Sequence, residues 1–405
     1  MSDNPARWRT GYLLAAAWWP ALVAGAQWSG SATTEYRWFS QEPLDSRQHE
    51  GNMAFAFEPE FYQEWNDGDQ SVTFTPFVRL DQHDAQRRHL DIRELNWVYV
   101  ARNWEARVGI SKVFWGVTEA QHLVDVINQT DLVERPDGEA KLGQPMIDVS
   151  WVQNWGTVDL LFLPYFRERT FPGPAGRLRT PVPVDSDRAE YESPDREHHL
   201  DVALRWSHSV NVFDIGVSYF DGTNREPGFI PATGADGGPL LIPYYALMQQ
   251  TGLDLQATVE AWLWKLEAIY RKQRNDAFFA ATGGFEYTFF GVFDSPADLG
   301  VVVEYLYDDR AVDPTLGLRT TPFQDDVLLA VRWQANDEDD TQALLGVIVD
   351  NDTRSQTYSL EASRRLSDHW TFSIDARWFT GIEPQELLYG FRNDDFLEFR
   401  WAYYF

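Results

Sequence analysis

The chain closes on Asp395-Phe396-Leu397-Glu398-Phe399-Arg400-Trp401-Ala402-Tyr403-Tyr404-Phe405. Successive side chains of a strand point to opposite faces, so Leu397, Phe399, Trp401, Tyr403 and Phe405 share one face. Glu398, Arg400, Ala402 and Tyr404 share the other. One face is a continuous apolar and aromatic band, and the other is largely polar. Such a strand fits the edge of a soluble sheet, or a barrel wall with lipid on one side and water on the other.

The opposite end speaks for the second case. Arg7 and Arg9 precede an apolar run, Tyr12 to Val23, and Ala24-Gly25-Ala26 follows it. The pattern predicts a secretory signal peptide over 1–26, cleaved after Ala26. The apolar run is well short of the ~20 residues that a spanning helix needs, and no later segment is apolar for that length. Any insertion into lipid therefore uses strands, because only helices and closed barrels satisfy every backbone polar group there. In that setting the terminal strand resembles the closing strand of a bacterial outer-membrane β-barrel, and Phe405 resembles the mark read by the barrel-assembly machinery.

The composition agrees. Trp, Tyr and Phe make up 15% of the residues, and cysteine is absent, which excludes disulfides, thiolate metal sites and thiol nucleophiles. Acidic residues number 62 against 34 basic ones, for a formal charge of −28. That balance argues against a nucleic-acid partner and against adsorption to anionic headgroups.

Eighteen strand candidates follow from period-two alternation and turn residues. They are 27–38, 51–63, 70–81, 89–101, 103–112, 145–153, 156–167, 198–207, 210–220, 242–257, 260–272, 278–290, 298–308, 325–335, 341–350, 355–365, 369–379 and 395–405. Even-numbered connections are tight, as at Asn66-Asp67-Gly68-Asp69, Arg102, Asn154-Trp155 and Ser207-His208-Ser209. Several odd-numbered ones are long: 113–144, 168–197, 221–241, 309–324 and 380–394. Barrels of the outer membrane separate periplasmic turns from extracellular loops in this way. The predicted fold is all-β: one antiparallel up-and-down transmembrane barrel over 27–405. Pro59, Pro76 and Pro243 remove ladder donors inside candidates and predict bulges or strand ends.

Charged side chains on a lipid face cost about 2–4 kcal/mol near the midplane. The charged positions of each strand are therefore expected to face the lumen: Glu58, Glu60, Arg79, Arg107, Asp148, Asp201, Arg205, Lys265, Glu267, Arg271, Arg332, Arg377, Glu398 and Arg400.

The third long connection, 113–144, is too apolar for a loop in water. Leu123, Val124, Val126, Ile127, Leu132 and Val133 need a surface, and the available one is the lumen wall. Thr118, with Gln121 three positions on, predicts a capped short helix from Glu119. Val108-Gly109-Ile110-Ser111-Lys112-Val113-Phe114-Trp115-Gly116, then Leu123-Val124-Asp125-Val126-Ile127-Asn128 and Asp131-Leu132, resembles a motif of uncharacterised proteobacterial outer-membrane barrel proteins, porin-like and known only as a domain of unknown function. Gln129 stands where that family often has proline. The resemblance implies a channel-like protein of the Gram-negative outer membrane. If the segment folds inward as a constriction or plug, then Trp115, Glu119, His122, Asp125, Asn128, Asp131 and Glu134 become its site residues. Their carboxylates would either create a transverse field against the lumen arginines or serve as structural salt-bridge partners.

No catalytic constellation appears among the eight histidines, and there is no phosphate loop, no Gly-x-Ser-x-Gly and no metal-ligand spacing. The chain reads as a non-enzyme without cofactor or metal. The acidic runs Asp185 to Glu197 and Asn336 to Asp340 read as solvated loops, the first bridged to lipopolysaccharide by divalent ions. Outer-membrane lipid and small solutes are the remaining expected partners. The function expected is passive diffusion of small solutes with a weak cation preference. The alternatives are a plugged or substrate-selective barrel for a specific ligand, hydrophobic ligands included, and a structural surface barrel.

Overall fold

The computed structural model describes residues 25–405 apart from 236, 274, 275, 314 and 315. The leader read over 1–26 lies, but for its last two residues, outside the described residues. Eighteen strands form one closed antiparallel barrel, in which each pairs with the barrel strand before it and the one after it. Closure is made by Gln27–Phe39 and Phe396–Tyr404, with Thr34 opposite Trp401 and Phe39 opposite Phe396.

Alternation sets the two surfaces. Met53, Phe55 and Phe57 are exposed on the outside, while Ala54 and Ala56 between them are buried inside. Val331 and Trp401 point out, whereas Arg332, Glu398 and Arg400 line the interior cavity. Aromatic contacts such as Trp262–Trp264 (5.5 Å) and Phe372–Trp401 (5.1 Å) run over the outer surface. Glu35, Arg79, Asp254, Glu267, Glu304 and Glu398 are buried inside. The barrel is thus inverted relative to a soluble protein, greasy outside and charged within.

The short connections use residues that tolerate the left-handed backbone. Asn66 and Asp67 (φ 55° and 58°) turn between Gly51–Trp65 and Gln70–Asp81. Asn211 (φ 56°) does the same between Asp201–Val210 and Phe213–Thr223. The turn expected at Ser207-His208-Ser209 is therefore moved. Those residues stay in the ladder, and the asparagine, better suited to positive φ, takes the corner.

Proline behaves in three ways. At Pro76 the register with His89–Val100 shifts by a bulge. At Pro59 the ladder to Gln70–Asp81 is interrupted. Pro243 lies outside the barrel. The candidate 242–257 divides into Pro239–Tyr245, part of a small sheet with Gly228–Thr233 and Glu190–Tyr191, and the barrel strand Leu247–Val259. The small sheet sits among the long connections, and Tyr245 packs there on Phe166. The long connections converge at this rim. Arg177 from the connection 164–200 reaches Asp394 at 2.6 Å and covers the Phe39 ring at 4.3 Å.

Segment 112–143 does enter the lumen, without the expected helix; all of it is turn, bridge and irregular backbone. Thr118 Oγ1 lies 2.6 Å from the carbonyl oxygen of Gln121 and 2.7 Å from Glu267, its one proton shared between these two acceptors instead of the oxygen capping a helix. The amides that would start the helix are occupied by carboxylates of the wall.

Candidate functional site

Residues of the stretch 108–128 build the base of the inward segment. Gly109 (φ 136°) lies so close to the strand His89–Val100 that an added Cβ would sit 2.1 Å from the Leu95 carbonyl oxygen. Trp115 is buried beneath the Arg205 guanidinium, 5.2 Å from its ring centre, and Arg205 is held by a two-bond pair with Asp254 at 2.7 Å. Gly116 (φ 153°) wraps the backbone around Glu267, where a Cβ would meet His122 Nδ1 at 2.9 Å and Glu267 Oε1 at 3.1 Å. Asn128 ties the two ends of the segment: its Oδ1 accepts the Val113 amide at 2.8 Å, and its Nδ2 donates to the carbonyls of Ser111 and Leu142. Val124, Val126 and Ile127 pack with Trp115 on Met146, Leu161, Leu163, Ala203, Phe220 and Ile269 of the wall. Each such side chain taken from water contributes roughly 1.5–3 kcal/mol.

Two wall carboxylates grip the backbone. Glu267 accepts the amides of Val117 (2.7 Å), Thr118 (3.0 Å) and Val124 (3.1 Å). Glu304 accepts those of Glu119 (2.7 Å) and Ala120 (2.8 Å). His122 lies 3.8 Å from Glu267 and 3.4 Å from Glu139. Burial opposes its charge, but the attraction of these two carboxylates outweighs it and holds the imidazolium up to about 10. Burial pushes the Asp125 carboxyl up, against the pull of Lys141 at 3.1 Å.

The middle and tip meet other sectors of the wall. Asp131 pairs with Arg93 at 2.7 Å and accepts Thr170 Oγ1 at 2.7 Å. Glu134 pairs with Arg79 at 2.6 Å, and Arg79 also holds Glu35. Arg87 bridges Glu35 (2.9 Å) and Asp81 (2.8 Å). Arg37, Glu398 and Arg400 continue this chain to Glu35 along the neighbouring strands. At the tip, Asp137 reaches Arg377 at 2.9 Å, and Arg135 lies 3.6 Å from Asp375.

A cavity of about 250 Å³ remains between the segment and the wall built by 325–404. It is lined by Glu119, Glu361, Asp375 and Glu398 against Arg135, Arg332 and Arg400. Glu119 is shared by Arg332 (2.7 Å) and Lys265 (3.6 Å).

The remaining residues named from sequence lie apart from this gap. Arg107 and Asp148 face each other across a strand pair. Asp201 binds Arg225 at 2.7 Å near the long-connection rim. Arg271 pairs with Glu226 of a long connection at 3.0 Å. Glu58 and Glu60 stand opposite Ser31 and Ser29 near the other end. Sequence reasoning missed Glu35, Arg87, Arg93 and Glu304. The inward parity of Glu35 and Glu304 is legible, whereas Arg87 lies in the connection before His89–Val100 and Arg93 is turned inward at the bulge opposite Pro76. The loop atoms that all four bind are not legible. Two carboxylate-rich groups, His89–Asp131–Glu134 and Asp137–Glu361–Asp375, have the spacing of metal ligands. Arginine neutralises both, through Arg79 and Arg93 in the first and Arg135 and Arg377 in the second. The acidic turn Asn336 to Asp340 is occupied by Arg364 and Arg365, and by Thr341 on Asp337.

No model of a known protein family matches the sequence, and no functionally curated protein matches it. Among solved structures the chain is similar to Wzi of Escherichia coli, described as an outer membrane protein involved in group 1 capsule assembly and a carbohydrate-binding β-barrel. The alignment covers 95% of this chain and 85% of that one, with a TM-score of 0.53 and 9% identity. A mutant of Rh. blastica porin aligns over 94% of this chain and 100% of its own, with a TM-score of 0.45 and 10% identity. At such identities the likeness is one of fold alone: a closed β-barrel of the kind found in outer membranes.

Proposed function

We propose that the chain is an outer-membrane channel through which small solutes diffuse passively, past a constriction made by 112–143. The carrying observation is the charged gap of about 250 Å³ that this segment leaves against the wall 325–404. The apolar exterior supports insertion in lipid, and a lumen of opposed charges supports screening of solutes by charge and size. Outer-membrane lipid, lipopolysaccharide and the barrel-assembly machinery follow as partners of such a barrel. Four carboxylates against three guanidiniums in the gap support a weak preference for cations.

Purified protein in a planar bilayer tests this reading. Steady ohmic conductance with a reversal potential displaced toward K⁺ in a KCl gradient is the expected result. A displacement toward Cl⁻ overturns the selectivity, and absence of both conductance and solute entry into liposomes overturns the channel.

The second reading, a plugged or substrate-selective barrel, is favoured by one observation: the segment is anchored on three sectors of the wall, by Glu267 and Glu304, by Arg79 and Arg93, and by Arg377. Closed or very small conductance, opened by releasing the segment, distinguishes it.

A further inference from the structure

A second cavity, of about 360 Å³, lies where the long connections meet above the inward segment. Its size falls in the range of small-molecule sites, roughly 300–1,000 Å³. Leu123, Val126, Phe171, Phe229, Phe323 and Phe391 give it apolar walls. Arg169, Arg225, Arg271 and Arg310 also line it, with Glu226 as the carboxylate nearest to them in the lining. Arg225 is paired to Asp201 at 2.7 Å, and Arg310 to Asp308 at 2.7 Å. Arg271 and Arg310 share Glu226, at 3.0 and 2.7 Å.

Arg169 differs. Among the described residues it has no carboxylate within 4.0 Å, and its Nε donates to the neutral Oε1 of Gln129 at 3.3 Å. Gln129 is fully buried, also accepts the Thr130 amide at 2.9 Å, and is the residue that departs from the barrel motif. The backbone amide of Arg169 is fixed on the Tyr245 hydroxyl at 3.0 Å. Burial works against the Arg169 charge. The result is a fixed cation, oriented by a neutral acceptor, beside an apolar chamber.

We propose that this cavity binds amphipathic organic acids, with the ligand carboxylate on Arg169 and its apolar body against the phenylalanine and leucine walls. The planar guanidinium matches a carboxylate in two parallel hydrogen bonds, and the apolar walls reject small hydrophilic anions. The proposal deepens the solute-channel reading and rests on it for biological meaning, but binding is measured separately from conduction.

The experiment is calorimetric titration of the folded barrel in detergent with 4-phenylbutyrate, 4-phenylbutanamide and butyrate. Saturable binding of 4-phenylbutyrate is expected, with the amide and butyrate each weaker by roughly tenfold or more, the loss of a charge-assisted hydrogen bond or of apolar burial. Arg169→Gln is expected to reduce the acid to the level of the amide. Gln129→Glu supplies an internal counter-charge, keeps Arg169 in place and is expected to weaken the acid alone. It decides the matter should Arg169→Gln fail to fold. Equal binding of acid and amide, no binding of either, or an acid affinity untouched by Gln129→Glu overturns the site. A protein that conducts yet ignores 4-phenylbutyrate overturns this site and leaves the channel; one that binds but neither conducts nor admits solute overturns the channel alone.

Discussion

Segment 112–143 touches the barrel wall in two contrasting ways. Along 113–127 it lies on a dry surface, where Trp115, Val124, Val126 and Ile127 pack on apolar side chains and Glu267 and Glu304 receive backbone amides. At 135–137 it reaches the opposite wall only through charged side chains, Arg135 to Asp375 beside the 250 Å³ cavity and Asp137, at the edge of the 360 Å³ one, to Arg377. Apolar burial and desolvated hydrogen bonds are insensitive to salt and costly to break. Water-facing ion pairs contribute about 0–1 kcal/mol each. The difference teaches which part is fixed and which borders a cavity: the base is structural, and the tip with its facing wall is where charge can be tuned without loss of the fold.

The comparison breaks first at Glu267. Glu267→Ala strands the amides of Val117, Thr118 and Val124 and leaves His122 without its buried partner. Removing one member of a buried charged contact costs about 3–5 kcal/mol. Amide exchange over 115–124 should accelerate strongly and conductance should rise, while heat-resistant barrel mobility on a gel is retained. Unchanged exchange would show that the apolar contacts alone hold the base.

Arg93→Met is next, because it leaves the buried Asp131 carboxylate with only the Thr170 hydroxyl as hydrogen-bond partner among the described residues. A loss of about 3 kcal/mol in docking of 128–134 is expected, read as local exchange confined to that stretch.

His122 sharpens the comparison through pH. Its folded value, about 10, exceeds the unfolded 6.5, so its contribution is fully present below 6.5 and is lost as pH rises through about 10. Docking of 115–124 should be constant below about pH 6.5 and weaken steadily from there toward pH 10, and His122→Gln should abolish that dependence.

The tip should respond to salt and charge instead. Asp137→Asn is expected to cost no more than about 1 kcal/mol and to leave 113–127 protected, while shifting the reversal potential toward anions. Raising salt from 0.1 to 1 M, which shortens the screening length from about 10 to 3 Å, should erase that shift.

The smallest effect concerns the rim, where His49 and His83 stack at 3.7 Å. Burial, then the neighbouring His49, holds His83 below its usual 6.5. A depressed histidine is neutral in the folded rim, so the stack is unaffected above 6.5 and loses stability as pH falls through that value. Protection of the amides over 82–88, taken relative to their intrinsic exchange rates, should be modestly lower at pH 5 than at pH 7.5, and His83→Phe should remove the difference.

Much of the wall was legible in the chain. Phe55 and Phe57 alternating with Ala54 and Ala56, or Val331 beside Arg332, declare their faces, because strand geometry converts parity into direction without reference to any partner. The inward destination of 113–144 was legible for a related reason: Leu123, Val124, Val126 and Ile127 have no other surface to meet. Its local form was not. Thr118 and Gln121 spell a helix start, and carboxylates far along the chain, Glu267 and Glu304, capture the amides first. Nor was the pairing of Glu134 with Arg79, of Asp131 with Arg93, or of Gln129 with Arg169 readable from spacing.

The sequence by itself thus determined the strands, their inward and outward faces, and the presence of an apolar segment that must be buried, since these depend on local periodicity and on the cost of wetting greasy side chains. Only the tertiary structure decided which charges neutralise one another, where the charged gap against the wall 325–404 lies, and which guanidinium in a cavity lining meets a neutral acceptor in place of a carboxylate. Those outcomes depend on closure of the barrel, which brings residues distant in the chain to within hydrogen-bond reach across the lumen.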